Sequence, residues 1–478
     1  MKVEEMEKEK KFRLFDAVLM AVVVVLVVES VAPAAAIGPS QFFWWGALLI
    51  LFFLPYGLIS AELGTTYDGD GGIYDWVRKA FGKRWGGRAA WLYWINFPIW
   101  MASLAVLFTG VIGQVFPTHF GTWTNVVIQL VFIAIVTLIS CYPIADSKWI
   151  LNLAAIAKVV IMLSLGILGI YVAMTKGVAS NFTVKTMLPQ MDVKSLGYIS
   201  VILFNFLGFE VVTSMASEMP NPKKQIPQAI IWGGILIAVF YVFAAFGMGV
   251  AIPSDKLSTS SGLMESILLL IGGNNWFVIL IAIMFMYTLA ANLISWSAGV
   301  NYVASYAAKN HDLPAVFAIE SKKNGMPIGA TLLNGLIAAI LVVVSPLIPN
   351  QNIFWAFFSL NVVALLGSYI LMFPSFSKLR KIDPKAERPF KVPGNKFMIS
   401  LMTWIPVTLL VVTVIMSAVP LNGSAEEING KVPILIGTII TLILGEICIR
   451  IAEKHGDKKA HQEASSHIEG HSEHALEK

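Results

Sequence analysis

The 478-residue chain is 57% hydrophobic and only 13% charged, with a mean hydropathy of +0.74. Soluble domains carry about 25% charged residues, so this composition excludes a soluble enzyme or a soluble nucleic-acid-binding domain. The net charge of +5 has to be read through membrane topology rather than through an acidic partner.

Apolar stretches near the ~20 residues that cross a bilayer recur at 14–37, 41–63, 88–114, 122–142, 148–174, 196–217, 228–252, 275–305, 328–348, 353–374, 398–419 and 431–451. They predict an all-α, polytopic membrane protein with twelve transmembrane helices. The expected organisation is a cytoplasmic N-terminus (1–13), a core of ten spans (14–374), two further spans (398–451) and a disordered, histidine-containing cytoplasmic tail (452–478). Of the 34 Lys and Arg residues, 28 fall on the side that holds both termini and five on the other, with Lys158 inside a span. That bias places both termini in the cytoplasm. The first apolar run is too long for a cleavable signal peptide.

The first span is interrupted. Glu29 lies within Val27-Val28-Glu29-Ser30-Val31-Ala32-Pro33, where a carboxylate costs several kcal/mol unless protein or a water-filled cavity surrounds it. Pro33 cannot donate a backbone hydrogen bond and disturbs the helix. Lys158, in the fifth span, has no snorkelling route at its depth. The sixth span reads Phe204-Asn205-Phe206-Leu207-Gly208-Phe209-Glu210, a glycine beside a second membrane-depth carboxylate. Breaks in the first and sixth spans, five apart, predict an inverted repeat of spans 1–5 and 6–10 with a polar site between them.

Amides at membrane depth (Asn96, Asn205, Asn292 and Asn361) either join helices or contact a solute, and Asn205 and Asn292 are the two expected closest to the polar site. Asp16 and Glu62 stand near cytoplasmic span ends, where they are candidates for an inner gate. Cys141 and Cys448 read as small core residues. Asn181-Phe182-Thr183 and Asn422-Gly423-Ser424 match glycan acceptors on the outer side. His119 and His311 are isolated, and neither a nucleophile–base pair nor a metal motif is visible. We therefore expect no enzyme activity, no cofactor and no metal.

Three stretches carry a family resemblance: Gly71-Gly72-Ile73-Tyr74-Asp75-Trp76-Val77-Arg78-Lys79-Ala80-Phe81-Gly82; Gly208-Phe209-Glu210 with Glu218-Met219-Pro220-Asn221-Pro222-Lys223-Lys224-Gln225-Ile226-Pro227; and Ser295-Trp296 with Lys309-Asn310-His311-Asp312-Leu313-Pro314. Over about residues 12–452 the chain resembles the amino acid–polyamine–organocation transporter superfamily. It is most similar to the glutamate/γ-aminobutyrate and amino-acid/amine exchanger branches. The resemblance implies a LeuT-type fold working by alternating access, with substrate between broken helices 1 and 6. Many amino-acid-binding members carry glycines where this chain has Glu29-Ser30-Val31-Ala32-Pro33. A carboxylate there repels a substrate carboxylate and attracts an amine.

The resemblance also implies roles for single residues. Glu29, Ser30, Ala32, Asn205, Phe206, Gly208, Glu210, Asn292 and Trp296 are the expected substrate site. Trp296 matches a substrate-stacking tryptophan of arginine/agmatine exchangers; a desolvated cation–π contact is worth about 2 kcal/mol. Phe204 and Phe206 align with gating aromatics, and Phe204, Asp16 and Glu62 are the expected gate. Lys158 takes the place that sodium occupies in sodium-coupled relatives, which implies sodium-independent transport.

The function expected is exchange of an amino acid or amine, such as agmatine and putrescine, across the cytoplasmic membrane. A proton-coupled amino-acid permease and a non-transporting nutrient sensor on the same fold are the alternatives. The expected partners are a small amino acid or amine and membrane lipid, with no nucleic acid, and the chain acts as a monomer or homodimer.

Overall fold

The structure, a computed structural model, describes residues 14, 18, 25–67, 71–116, 120–143, 148–189, 193–209, 222–348 and 352–476. The described residues are helical, without strands. Among the described residues ten helices are long and apolar enough to cross a membrane: α2 (Gln41–Thr66), α4 (Lys83–Val115), α5 (Thr122–Ser140), α6 (Trp149–Thr175), α8 (Lys224–Ala251), α10 (Trp276–Lys309), α11 (Ile328–Leu347), α12 (Ile353–Ile382), α13 (Lys396–Ala418) and the apolar part of α14 (Ala425–Leu476). They fall on the second to fifth and the seventh to twelfth apolar stretches. Shorter pieces are α1 (Val31–Ala35), α3 (Ile73–Phe81), α7 (Val193–Phe204) and α9 (Gly262–Ile271).

Local chemistry sets several helix ends. The side chains of Asn275, Asn352 and Asn395 accept backbone N–H groups at the starts of α10, α12 and α13, which satisfies donors that a helix N-terminus leaves open. α9 stops at Gly272, whose φ of +88° is a left-handed cap. The helix α14 continues to Leu476, through the histidine-bearing segment expected to be unstructured. That stretch is rich in Ala, Glu and Lys, which favour helix even without a packing partner.

Small residues let the spans approach closely. A Cβ on Gly247 of α8 would lie 2.0 Å from the Leu165 carbonyl oxygen of α6, and one on Gly169 would lie 2.5 Å from the Gly247 Cα. A Cβ on Gly57 of α2 would lie 2.7 Å from Ile230 of α8. Such contacts drive helix association where lipid removes the hydrophobic incentive. The apolar stretches of α4 and α12 are the most enclosed of these ten. Ile50, Leu138, Ile156 and Leu347 are exposed apolar side chains, as expected of a lipid-facing perimeter.

Two chain segments lose helical regularity in the core. Val25 is helical, Leu26 and Val27 are not, Val28–Ser30 makes one 3-10 turn, and α1 then begins. Pro33 is the third residue of α1. There it serves a restarting helix, because first-turn N–H groups have no intrahelical acceptor. The second segment follows α7: residues 205–209 form turns, and Gly208 has φ +99°, a conformation that suits glycine.

Candidate functional site

The 3-10 turn at Val28–Ser30 places Glu29 in the core, 2% exposed. Its Oε1 accepts a hydrogen bond from Asn292 Nδ2 of α10 at 2.9 Å. Asn292 Oδ1 accepts from Lys158 Nζ of α6 at 3.0 Å. One amide thus stands between the two buried charges, donating to the carboxylate and accepting from the ammonium. This arrangement lets both ions remain in the core, where an unpaired charge would be costly. The Glu29 carboxylate keeps one oxygen, Oε2, buried with no hydrogen-bond partner among the described residues.

Ser30 joins the two irregular segments. Its hydroxyl lies 2.6 Å from the Val27 carbonyl and 2.6 Å from Asn205 Oδ1, so its single proton serves one of these acceptors at a time. Asn205 is fully buried, and its Nδ2 has no partner among the described residues. Ala32 is buried one turn further along.

An aromatic wall flanks this polar centre. Trp296 follows Asn292 by four residues and therefore shares its face of α10. Its ring meets Trp100 of α4 edge-on, with centroids 6.1 Å apart at 90°. Trp100 in turn meets Phe204 at 6.1 Å and 76°, and Phe204 packs on Phe358 of α12. The indole N–H groups of Trp100 and Trp296 are buried without partners among the described residues. Glu29 Oε2 and Asn205 Nδ2 are likewise buried without partners among the described residues, and buried polar groups are normally paired with protein or water.

The other expected site residues divide. Phe206 is fully buried against Phe53 and Trp45, at centroid distances of 4.9 and 5.2 Å, a core-packing environment on the α2 side. Asn96 donates to its own helix at the Tyr93 carbonyl, whereas Asn361 is fully buried with neither polar atom partnered among the described residues. Glu210 and Asp16 lie outside the described residues. Glu62 lies near the C-terminal end of α2. Arg380 Nε binds its Oε1 at 2.7 Å, Arg380 Nη2 pairs with Oε2, Arg388 lies at 3.2 Å, and the Val392 N–H donates at 2.6 Å. A second carboxylate, Asp312 after α10, accepts from Tyr74 at 2.7 Å and Arg78 at 2.6 Å. Burial and the nearby Asp312 push the Tyr74 hydroxyl well above the usual tyrosine range, so it remains a donor.

Three residues of the site were missed from sequence. Trp100 completes the aromatic wall. The Tyr241 hydroxyl of α8 accepts the Val27 N–H at 2.8 Å and donates to the Val27 carbonyl at 2.9 Å. The Tyr56 hydroxyl of α2 accepts the Gly208 N–H at 3.1 Å. The available signal was a tyrosine in mid-span, since a buried phenol normally finds a polar partner.

Residues 12–444 match the amino acid permease family. The chain is 51% identical over 465 residues to a probable agmatine/putrescine antiporter, AguD, of Lactococcus lactis subsp. lactis, covering 97% of this chain and 99% of that one. It is 24% identical over 422 residues to the glutamate/gamma-aminobutyrate antiporter of the same organism, covering 85% and 84%. It is 25% identical over 431 residues to the polyamine transporter RMV1 of Arabidopsis thaliana, covering 87% and 80%. By the length of the match and these identities, the chain belongs to the amino acid permease family of the amino acid–polyamine–organocation superfamily.

Proposed function

We propose that this chain exchanges agmatine for putrescine, or a closely similar amine pair, across the cytoplasmic membrane. It is a multi-pass transporter and not an enzyme, as its relatives are. The observation that carries the substrate is the 51% identity to the agmatine/putrescine antiporter along nearly the whole of both chains. The chemistry of the centre supports it. The free oxygen of Glu29 is a natural acceptor for a primary ammonium, and Trp296 offers a π-face to a guanidinium or ammonium. Lys158, held through Asn292, takes the place of a coupling sodium ion. Glu210 supplies a second carboxylate for a substrate charged at both ends. Phe204 closes the site from outside and Asp16 closes it from the cytoplasm, while Glu62, expected there as a gate, has both oxygens taken by Arg380, Arg388 and the Val392 N–H and acts as a structural tie.

In this reading the interrupted first and sixth stretches also cross the membrane. That makes twelve spans, an inverted repeat of 1–5 and 6–10, and both termini in the cytoplasm. Exchange without an ion gradient follows if both solutes use one site and the empty carrier reorients slowly.

The test is uptake of labelled agmatine into proteoliposomes. Loading the lumen with putrescine should accelerate uptake strongly, while empty vesicles should take up little, with or without sodium. Uptake driven by an imposed proton gradient and indifferent to internal putrescine would establish the permease alternative. Absence of flux for agmatine, putrescine, tyrosine and glutamate would establish the sensor.

A further inference from the structure

We propose that Tyr241 and Tyr56 are a matched pair of hinge clamps, each supplying from a neighbouring span the hydrogen bond that a broken helix has lost. A break in a membrane helix leaves backbone N–H and C=O groups without intrahelical partners, and the bilayer offers no water to replace them. At the first break Val27 is extended, with φ −111° and ψ 99°. Its N–H donates to the Tyr241 hydroxyl at 2.8 Å, and the same hydroxyl donates to the Val27 carbonyl at 2.9 Å. At the second break Gly208 is left-handed, with φ +99°, and its N–H donates to the Tyr56 hydroxyl at 3.1 Å. Both phenols are fully buried.

The two clamps mirror each other. Tyr241 belongs to α8, the seventh apolar stretch, and serves the break in the first. Tyr56 belongs to α2, the second stretch, and serves the break in the sixth. Each sits a little past the middle of its helix. An inverted repeat of 1–5 with 6–10 pairs the first stretch with the sixth and the second with the seventh, so each clamp reaches across from one half to the other. Their rings are fixed independently of the hydroxyls. Tyr241 stacks on Trp45 at 4.6 Å and 13°, and Tyr56 stacks on Phe52 and meets Tyr369 edge-on. A hydroxyl on a rigid ring holds the hinge in one conformation and is free to release it in another. Each phenol is a positioning residue: it acts on the substrate only through Glu29 and Ser30, or through Asn205 and Gly208.

The role in gating rests on the transport function proposed above; the hydrogen bonds themselves do not. The experiment therefore has two arms, using the full chain in lipid nanodiscs and in proteoliposomes with Tyr241→Phe, Tyr56→Phe and the double substitution. Phenylalanine preserves both ring stacks, so the bundle should stay folded. In the first arm, amide hydrogen exchange is followed by peptide. Tyr241→Phe should accelerate exchange in the peptide spanning residues 25–31 by roughly tenfold, the loss expected when a buried donor goes unpaired. The peptide spanning 203–209 should be unchanged. Tyr56→Phe should do the reverse. Equal acceleration along every helix, or none at either break, would overturn the assignment.

In the second arm, each single substitution should lower the maximal putrescine–agmatine exchange rate about tenfold while leaving half-saturation within about twofold. Unchanged exchange in a variant that has lost local protection would confine the tyrosines to stability and overturn their gating role. If the wild-type protein exchanges no amine while the protection pattern is as stated, the functional proposal falls and the clamps stand.

Discussion

Glu29 and Glu62 are equally hidden, each 2% exposed, yet their surroundings differ in kind. Glu62 is saturated: two guanidinium groups and the Val392 N–H meet its two oxygens. Glu29 has one amide on Oε1 and an orphan Oε2 among the described residues. The first arrangement leaves no acceptor for anything else and ties the end of α12 and the stretch after it to α2. The second leaves a strong acceptor without a partner among the described residues, which is costly unless a ligand or water supplies the bond. Burial alone therefore does not distinguish the two acids; their hydrogen-bond partners do.

The sharpest test of that contrast is Glu29→Gln. The substitution keeps the shape of the side chain and an acceptor for Asn292 but removes the charge that draws an ammonium. Amine exchange should fall at least roughly 100-fold, equivalent to about 3 kcal/mol for lost charge-assisted hydrogen bonds. Stability should fall too, because Lys158 loses its counter-charge in the core, so exchange is read per folded molecule. Wild-type exchange by Glu29→Gln would break the comparison outright, because the orphan oxygen would then have no part in binding.

Glu62→Gln should differ by sparing exchange. It leaves Arg380 and Arg388, with side chains 19% and 10% exposed, short of their counter-charge. Removing one partner of a fully buried pair costs ~3–5 kcal/mol, and partial exposure of Arg380 lowers the expectation to about 2–3 kcal/mol. The readout is the unfolding temperature of the detergent-solubilised protein, with exchange per folded molecule largely retained. Lost exchange at full stability would instead make Glu62 a working part of the inner gate.

Much of this was legible in one dimension, and the limit of legibility has a physical cause. Hydropathy located the helices because crossing a bilayer demands long apolar runs. Glu29 and Gly208 flagged the irregular segments because a charge and a left-handed glycine are both costly in a regular membrane helix. Asn292 was expected at the site, but its place between Glu29 and Lys158 was not. Those partners are 263 and 134 residues away, and no local pattern encodes the pairing. Phe206 shows a different limit. Helical phase assigns faces only while the helix lasts, and α7 ends at Phe204. Two residues later the ring turns to Trp45 and Phe53, where periodicity no longer applies. Tyr56 and Tyr241 passed unnoticed because each is one polar atom on an otherwise apolar ring inside an apolar run.

The smallest effect expected at the centre concerns Trp296, and it separates the acid from the aromatic wall. The ring lies on the same face of α10 as Asn292 and is braced edge-on by Trp100. If it binds the cation through its π-face, Trp296→Leu should raise half-saturation for putrescine about tenfold, in keeping with the ~1–2 kcal/mol of such a contact. Trp296→Phe, which keeps a weaker π-face, should raise it by less. Maximal exchange should change little in either variant, since the hinge and the Glu29–Asn292–Lys158 relay are untouched. Equal effects of Leu and Phe would assign the loss to packing against Trp100 instead. The wall would then shape the cavity while Glu29 supplies the attraction.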